Sequence, residues 1–202
     1  MKQNNLTEKE SLELITRMIQ QTKQTMQIGS GNLFLYYGYT AVVIAALVYL
    51  LCSSTTQMLW HSLWFLMFVP LGKITQRKQH PTVVTYIDKA ISNVWIVISA
   101  LFVVTALTIL VIGWFTQVYP FVLMLPLALL YVGIGTACTG VITNDKSMTY
   151  FPVVSFVISI YMLVSLFTTG KPSLEWNLLA GLSFIITLVI PGHILNRKSQ
   201  KK

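Results

Sequence analysis

Four side chains in a largely apolar sequence have the types that proton transfer or metal binding requires: His80, Tyr86, Asp88 and His193. A carboxylate beside an imidazole can fix its tautomer, which is the arrangement behind a general base or a supported metal ligand. Asp88 is followed directly by Lys89, which competes for its charge, and nothing in the spacing brings His80 and His193 together. The set therefore reads first as anchoring at helix ends near a membrane surface. A base or metal site on that face is the alternative, and with it a membrane-embedded enzyme.

The other recognisable chemistries are missing from the sequence. There is no His-Glu-x-x-His run for metal hydrolysis. Gly133-Ile134-Gly135 lies inside an apolar run and lacks the Lys-Ser/Thr that a phosphate loop needs. Ser and Thr are plentiful in the apolar runs but have no base nearby, so they are expected to bond to helix carbonyls or across helices. The central parts of those runs hold no Asp, Glu, Lys or Arg, whereas ion-coupled transporters usually place an ionisable group there. Neither a cofactor nor a metal is expected.

Composition sets the surroundings. The 202 residues are 54% hydrophobic and only 10% charged, against roughly 25% charged in a soluble domain. A net charge of +8 raises nucleic acid as a partner, but the basic residues sit in short links between apolar runs and form no stripe. A nucleic-acid partner is set aside, and the lipid bilayer takes its place. The length suits about six membrane helices of roughly 20 residues each.

Those elements can be placed. Residues 1–31 read as a cytoplasmic amphipathic helix, opened by the capping box Thr7-Glu8-Lys9-Glu10 and ended near Gly29-Ser30-Gly31. Leu12, Ile15 and Ile19 share its apolar face, which either covers the bundle, lies on lipid or docks a protein partner. Six apolar runs fill 32–195, at about 32–51, 58–74, 94–115, 120–142, 148–167 and 174–195. A basic cytoplasmic tail, 196–202, follows. The expected fold is thus an all-α integral membrane protein with six transmembrane helices. Trp95 and Trp114 flank the third run, where an aromatic belt would put them. In the fourth run Gly133, Gly135, Ala137 and Gly140 give a small-residue face for close helix packing, with pore lining as the alternative.

Charge sets the orientation. Lys171 is the one basic residue of fourteen on the side opposite the termini, so both termini are expected in the cytoplasm. Under that topology Cys52 and Cys138 differ in depth by more than ~20 Å, too far for a disulfide. Three runs also leave the bilayer through a shared pattern, Gly-x-Ile-(Thr/Leu)-(Gln/Asn)-(Arg/Asp)-Lys, starting at Gly72, Gly140 and Gly192. This suggests three helical hairpins, although glycine at helix ends and Lys/Arg on this side would produce it by convergence. The last run is expected to break at Pro191-Gly192.

Residues 27–39 (QIGSGNLFLYYGY), 85–95 (TYIDKAISNVW) and 190–196 (IPGHILN) resemble a family of small bacterial multi-pass membrane proteins. The resemblance implies a bacterial cytoplasmic (inner) membrane and carries over no substrate, reaction or site. The expected function is a non-enzymatic accessory, sensory or regulatory subunit. The alternative is a small transporter or channel subunit, for which a homo-oligomer is compatible.

Overall fold

Phe34, Gly38, Ala41, Ala45, Val48 and Cys52 recur at alternating spacings of four and three, and all six are buried along one face of the first long helix. That spacing is the apolar stripe by which a helix seats against its neighbours. The structure, a computed structural model, describes residues 12, 13, 16, 30–55, 60, 63, 64, 66, 67 and 86–200. Among them the regular structure is entirely helical.

The helices are α1 (Ser30–Thr55), α2 (Tyr86–Thr116), α3 (Met124–Thr143), the short α4 (Lys146–Tyr150), α5 (Val153–Thr169), α6 (Trp176–Phe184) and α7 (Ile190–Gln200). A 3-10 turn, Phe121–Leu123, leads into α3, and a π turn, Ile185–Val189, joins α6 to α7. They supply five segments long and apolar enough to cross a membrane: Asn32–Thr55, Lys89–Thr116, Phe121–Thr143, Lys146–Thr169 and Trp176–Arg197. Of the second apolar run only Trp60, Leu63, Trp64, Leu66 and Met67 are described, all in tight helical turns. In the amino-terminal segment Leu12, Glu13 and Thr16 are helical, and the Thr16 hydroxyl donates to the Leu12 carbonyl at 2.8 Å. Ile15 and Ile19 lie outside the described residues.

The last span is the centre of the bundle. Its apolar window is 56% buried, against 17% for Lys89–Thr116. A helix apolar all round must be surrounded by protein or lipid, and these two spans take opposite solutions. α1 packs along α6, the π turn and α7; α5 lies against α6, and α3 sits between α5 and α2. Trp60, Leu63, Trp64 and Met67 fill in against Ile44, Val48 and Cys52 of α1. Small residues set the closest approaches. A Cβ at Gly38 would stand 2.7 Å from Val189 Cγ2, and one at Gly181 would stand 3.2 Å from Ala45 Cβ. Within lipid such packing supplies the attraction that water exclusion supplies elsewhere.

Several sequence expectations change. The helix of the third run reaches back at least to Tyr86, where the described residues resume, so residues 86–93 are continuous with it. Trp95 is half-buried and meets Phe34 edge-on at 5.8 Å, while Trp114 is 75% exposed. The third run therefore has an exposed aromatic at one end and a packed one at the other. Pro191 does not break the last helix, since α7 runs through it. Proline removes one helix donor and crowds the carbonyl a turn earlier. The widened π turn just before it makes room, with the Ile190 amide donating to the Ile185 carbonyl.

The shared exit pattern also takes two forms. At Gly140 it ends α3 through left-handed Asn144 (φ 54°), and Asp145 then caps α4 by accepting from the amides of Ser147 and Met148. At Gly192 the same pattern remains inside a helix.

Candidate functional site

Most helix hydroxyls here bond to their own helix, as Thr136 does to the Val132 carbonyl and Thr139 to the Gly135 carbonyl, both at 2.8 Å. Among the described residues four fully buried ones bond between helices instead, and the part-buried Thr105 hydroxyl of α2 meets the Tyr131 hydroxyl of α3 at 2.7 Å. Ser155 Oγ on α5 lies 2.6 Å from Ser183 Oγ on α6 and 2.6 Å from Thr187 Oγ1 in the π turn. One turn further along α5, the Ser159 hydroxyl donates to the Pro126 carbonyl of α3 at 2.6 Å. All four residues are at most 1% exposed. Two contacts use two of the three O–H protons in the Ser155–Ser183–Thr187 set, and the third remains for a water or a carbonyl.

This triad is where the central helix changes form. Ser183 belongs to the last turn of α6, Thr187 lies in the π turn, and Ser155 spans both from outside. On the opposite side, α1 offers Gly38, where the Val189 amide and the Leu188 side chain fill the space a Cβ would need. π turns often mark functional positions because their backbone departs from regular pairing. Chemically the triad is a neutral set of donors and acceptors. Their described hydrogen-bond partners are hydroxyls and a carbonyl, which do not make an activated-nucleophile geometry.

A second cluster occupies the end where α1 begins and α7 finishes. The Tyr39 hydroxyl and His193 Nε2 are 2.7 Å apart, with ring centroids at 5.9 Å and planes at 75°. Tyr39 donates when the imidazole proton is on Nδ1. Beside this pair, Asn196 Nδ2 donates to Asn32 Oδ1 at 2.7 Å. Both contacts are solvent-accessible and tie α7 to α1.

Of the four polar residues first singled out, His193 thus has an α1 partner that no spacing in the sequence signals. His80 and the side chains of Tyr86 and Asp88 lie outside the described residues. Among the described residues no three His, Cys, Asp or Glu side chains group as metal ligands.

The small residues of α3 look three ways. Gly133 faces the Phe156 ring, where a Cβ would lie 2.6 Å from Cε1. Gly135 faces Trp95 and Ile98 of α2, each 3.3 Å from such an atom. Gly140 lies against backbone, with the Met148 carbonyl carbon 2.5 Å away and the Thr149 amide closer. Ala137 is half-buried. Leu12 is 64% exposed, so the one described residue of the candidate docking face is open.

The far end of the bundle is aromatic. Trp64 Nε1 donates to Asn177 Oδ1 at 3.3 Å, and Trp60 Nε1 to Thr55 Oγ1 at 2.6 Å. Trp176 is 2% exposed within the core, and its Nε1 has no partner among the described residues. Comparison with protein-family models, curated proteins and solved structures finds no match for the chain.

Proposed function

We propose that this chain is a six-helix integral membrane protein of a bacterial cytoplasmic membrane that works, without catalysis, as an accessory, sensory or regulatory subunit. In this reading the second apolar run supplies the sixth span, both termini are cytoplasmic, and residues 1–31 form an amphipathic helix. Leu12, Ile15 and Ile19 on that helix dock a protein partner.

The observation that carries the reading is how the bundle uses its interior polar groups. Ser155, Ser159, Ser183 and Thr187 join helices to one another, while the described charged residues of the bundle, Lys89, Asp145, Lys146, Lys171, Glu175 and Arg197, stand near helix ends or in the links, with buried Asp145 capping α4. Glycine–backbone and glycine–aromatic contacts hold the helices close. Such a bundle is built to persist in lipid and to present its ends. The 64% exposure of Leu12 supports docking at the amino-terminal end.

The test changes Leu12, Ile15 and Ile19 together to Ser in the full chain. Each buried aliphatic side chain contributes roughly 1.5–3 kcal/mol, so the variant should lose stoichiometric copurification of a protein partner from mild detergent. Insertion and melting should be unchanged. Lower melting with the same triple change would mean that the helix packs on its own bundle, and an unchanged variant would remove the docking role. The small-transporter reading requires a continuous polar path across the bundle, and no described contact favours it.

A further inference from the structure

We propose that the seam where α1 begins and α7 ends binds an anionic phospholipid, its phosphate held by Asn32, Tyr36 and Arg197 and an acyl chain laid along the exposed face of α1. The proposal needs only that the chain lies in a membrane. It goes beyond the accessory reading, since no protein partner enters it.

Hydrogen-bond donors are in excess along this seam. Asn32, Tyr36 and Tyr39 follow one another at spacings of four and three on the exposed face of α1, and His193 and Arg197, four apart, are exposed on α7. Two cross-helix bonds bring these faces together, Tyr39 with His193 and Asn196 with Asn32. The Asn–Asn bond uses one amide N–H and one carbonyl, so three amide N–H groups remain whichever Asn donates. The Tyr36 hydroxyl has no partner among the described residues, and no described carboxylate pairs with Arg197. The guanidinium brings donors and no acceptor. A site with this balance suits an anion that only accepts, and a phosphodiester is such an anion.

The neighbouring surface identifies the rest of the ligand. Beyond Tyr39 the exposed face of α1 turns apolar through Val43, Leu47 and Leu50, and Ile190, one turn before His193, is exposed as well. From Tyr39 to Leu50 the helix rises about 16 Å, close to the depth of one leaflet in a hydrocarbon core of about 30 Å. A soluble phosphate would leave this stripe unused, whereas a phospholipid covers head site and stripe together. Arg197 closes the last span, Trp176–Arg197, at the level where headgroups lie. A basic residue there, with no carboxylate paired to it, selects a headgroup of net negative charge over a zwitterionic one.

Thermal melting of the full chain in mild detergent tests this, with phosphatidylglycerol titrated against phosphatidylcholine of the same chains and against inorganic phosphate. Phosphatidylglycerol should raise the melting temperature saturably, with a midpoint at least about fivefold lower than that of phosphatidylcholine. Inorganic phosphate should leave melting unchanged. Arg197→Gln should raise the phosphatidylglycerol midpoint about fivefold, the equivalent of the ~1 kcal/mol that one basic residue contributes at an anionic lipid surface. Tyr36→Phe should raise it at least about twofold, the lower end of one hydrogen bond's net contribution. Changing Lys201 and Lys202 together to Gln should shift it less than Arg197→Gln does. Should Arg197→Gln fail to accumulate, Tyr36→Phe decides alone. Equal midpoints for the two lipids, stabilisation by inorganic phosphate, or an unmoved midpoint in Arg197→Gln or Tyr36→Phe overturns the site. So does a tail variant shifted as far as Arg197→Gln, which would mean diffuse attraction to the basic tail.

Discussion

The Ser159 hydroxyl on α5 donates to the Pro126 carbonyl on α3 at 2.6 Å, with Ser159 itself 0% exposed. The bond joins helices that also meet through Gly133 and Phe156. It sets the serine's size as well as its polarity.

Ser159→Ala should therefore lower the melting temperature modestly, in line with the roughly 0.6–1.7 kcal/mol measured for interhelical hydrogen bonds in membranes. Ser159→Leu should cost more, because it removes the bond and overpacks a filled position by a further ~1–3 kcal/mol. Thermal unfolding in detergent measures both. Equal melting of the two variants would mean that the position opens to lipid or a cavity.

The glycines of α3 should rank by what faces them. Gly140 abuts the Met148–Thr149 backbone, which cannot swing aside, whereas Gly135 meets the side chains of Trp95 and Ile98 at 3.3 Å. Gly140→Ala should cost about 1–3 kcal/mol. Gly135→Ala should change stability by less than about 1 kcal/mol, because alanine is the better helix former and its methyl needs only a small adjustment. Leucine at either position should be severe. The same melting assay gives the order, and Gly135→Ala proving worse than Gly140→Ala would reverse this account of the packing.

Much of the architecture was legible from apolar run length, because a span needs a minimum number of apolar residues whatever it packs against. The fourth run, read as 120–142, is the span Phe121–Thr143. Which neighbour each helix meets was not legible. Trp95 and Trp114 have similar contexts at the two ends of one run, yet one packs on Phe34 and faces Gly135, while the other is exposed. The same holds for the hydroxyls. Ser155, Ser183 and Thr187 come from two runs, and their meeting depends on helix adjacency that no local pattern encodes. The π turn was not legible, because Ser183 and Thr187 have ordinary α-helical spacing and Pro191 by itself suggested a break. His193 similarly needed α1 beside α7 before Tyr39 became its partner.

The central claim, six crossings with both termini in the cytoplasm, reduces to parity. The five spans described by the structure would by themselves place the two ends of the chain on opposite sides, and the proposed sixth span between residues 58 and 74 would return them to the same side. Reporter fusions after Gln57, Gln79, Gln117 and Gly170 and at Lys202 resolve this directly. The account predicts an external signal at Gln57, Gln117 and Gly170, and a cytoplasmic signal at Gln79 and Lys202. If Gln57 and Gln79 report the same side, the second run does not cross and the six-helix account is wrong.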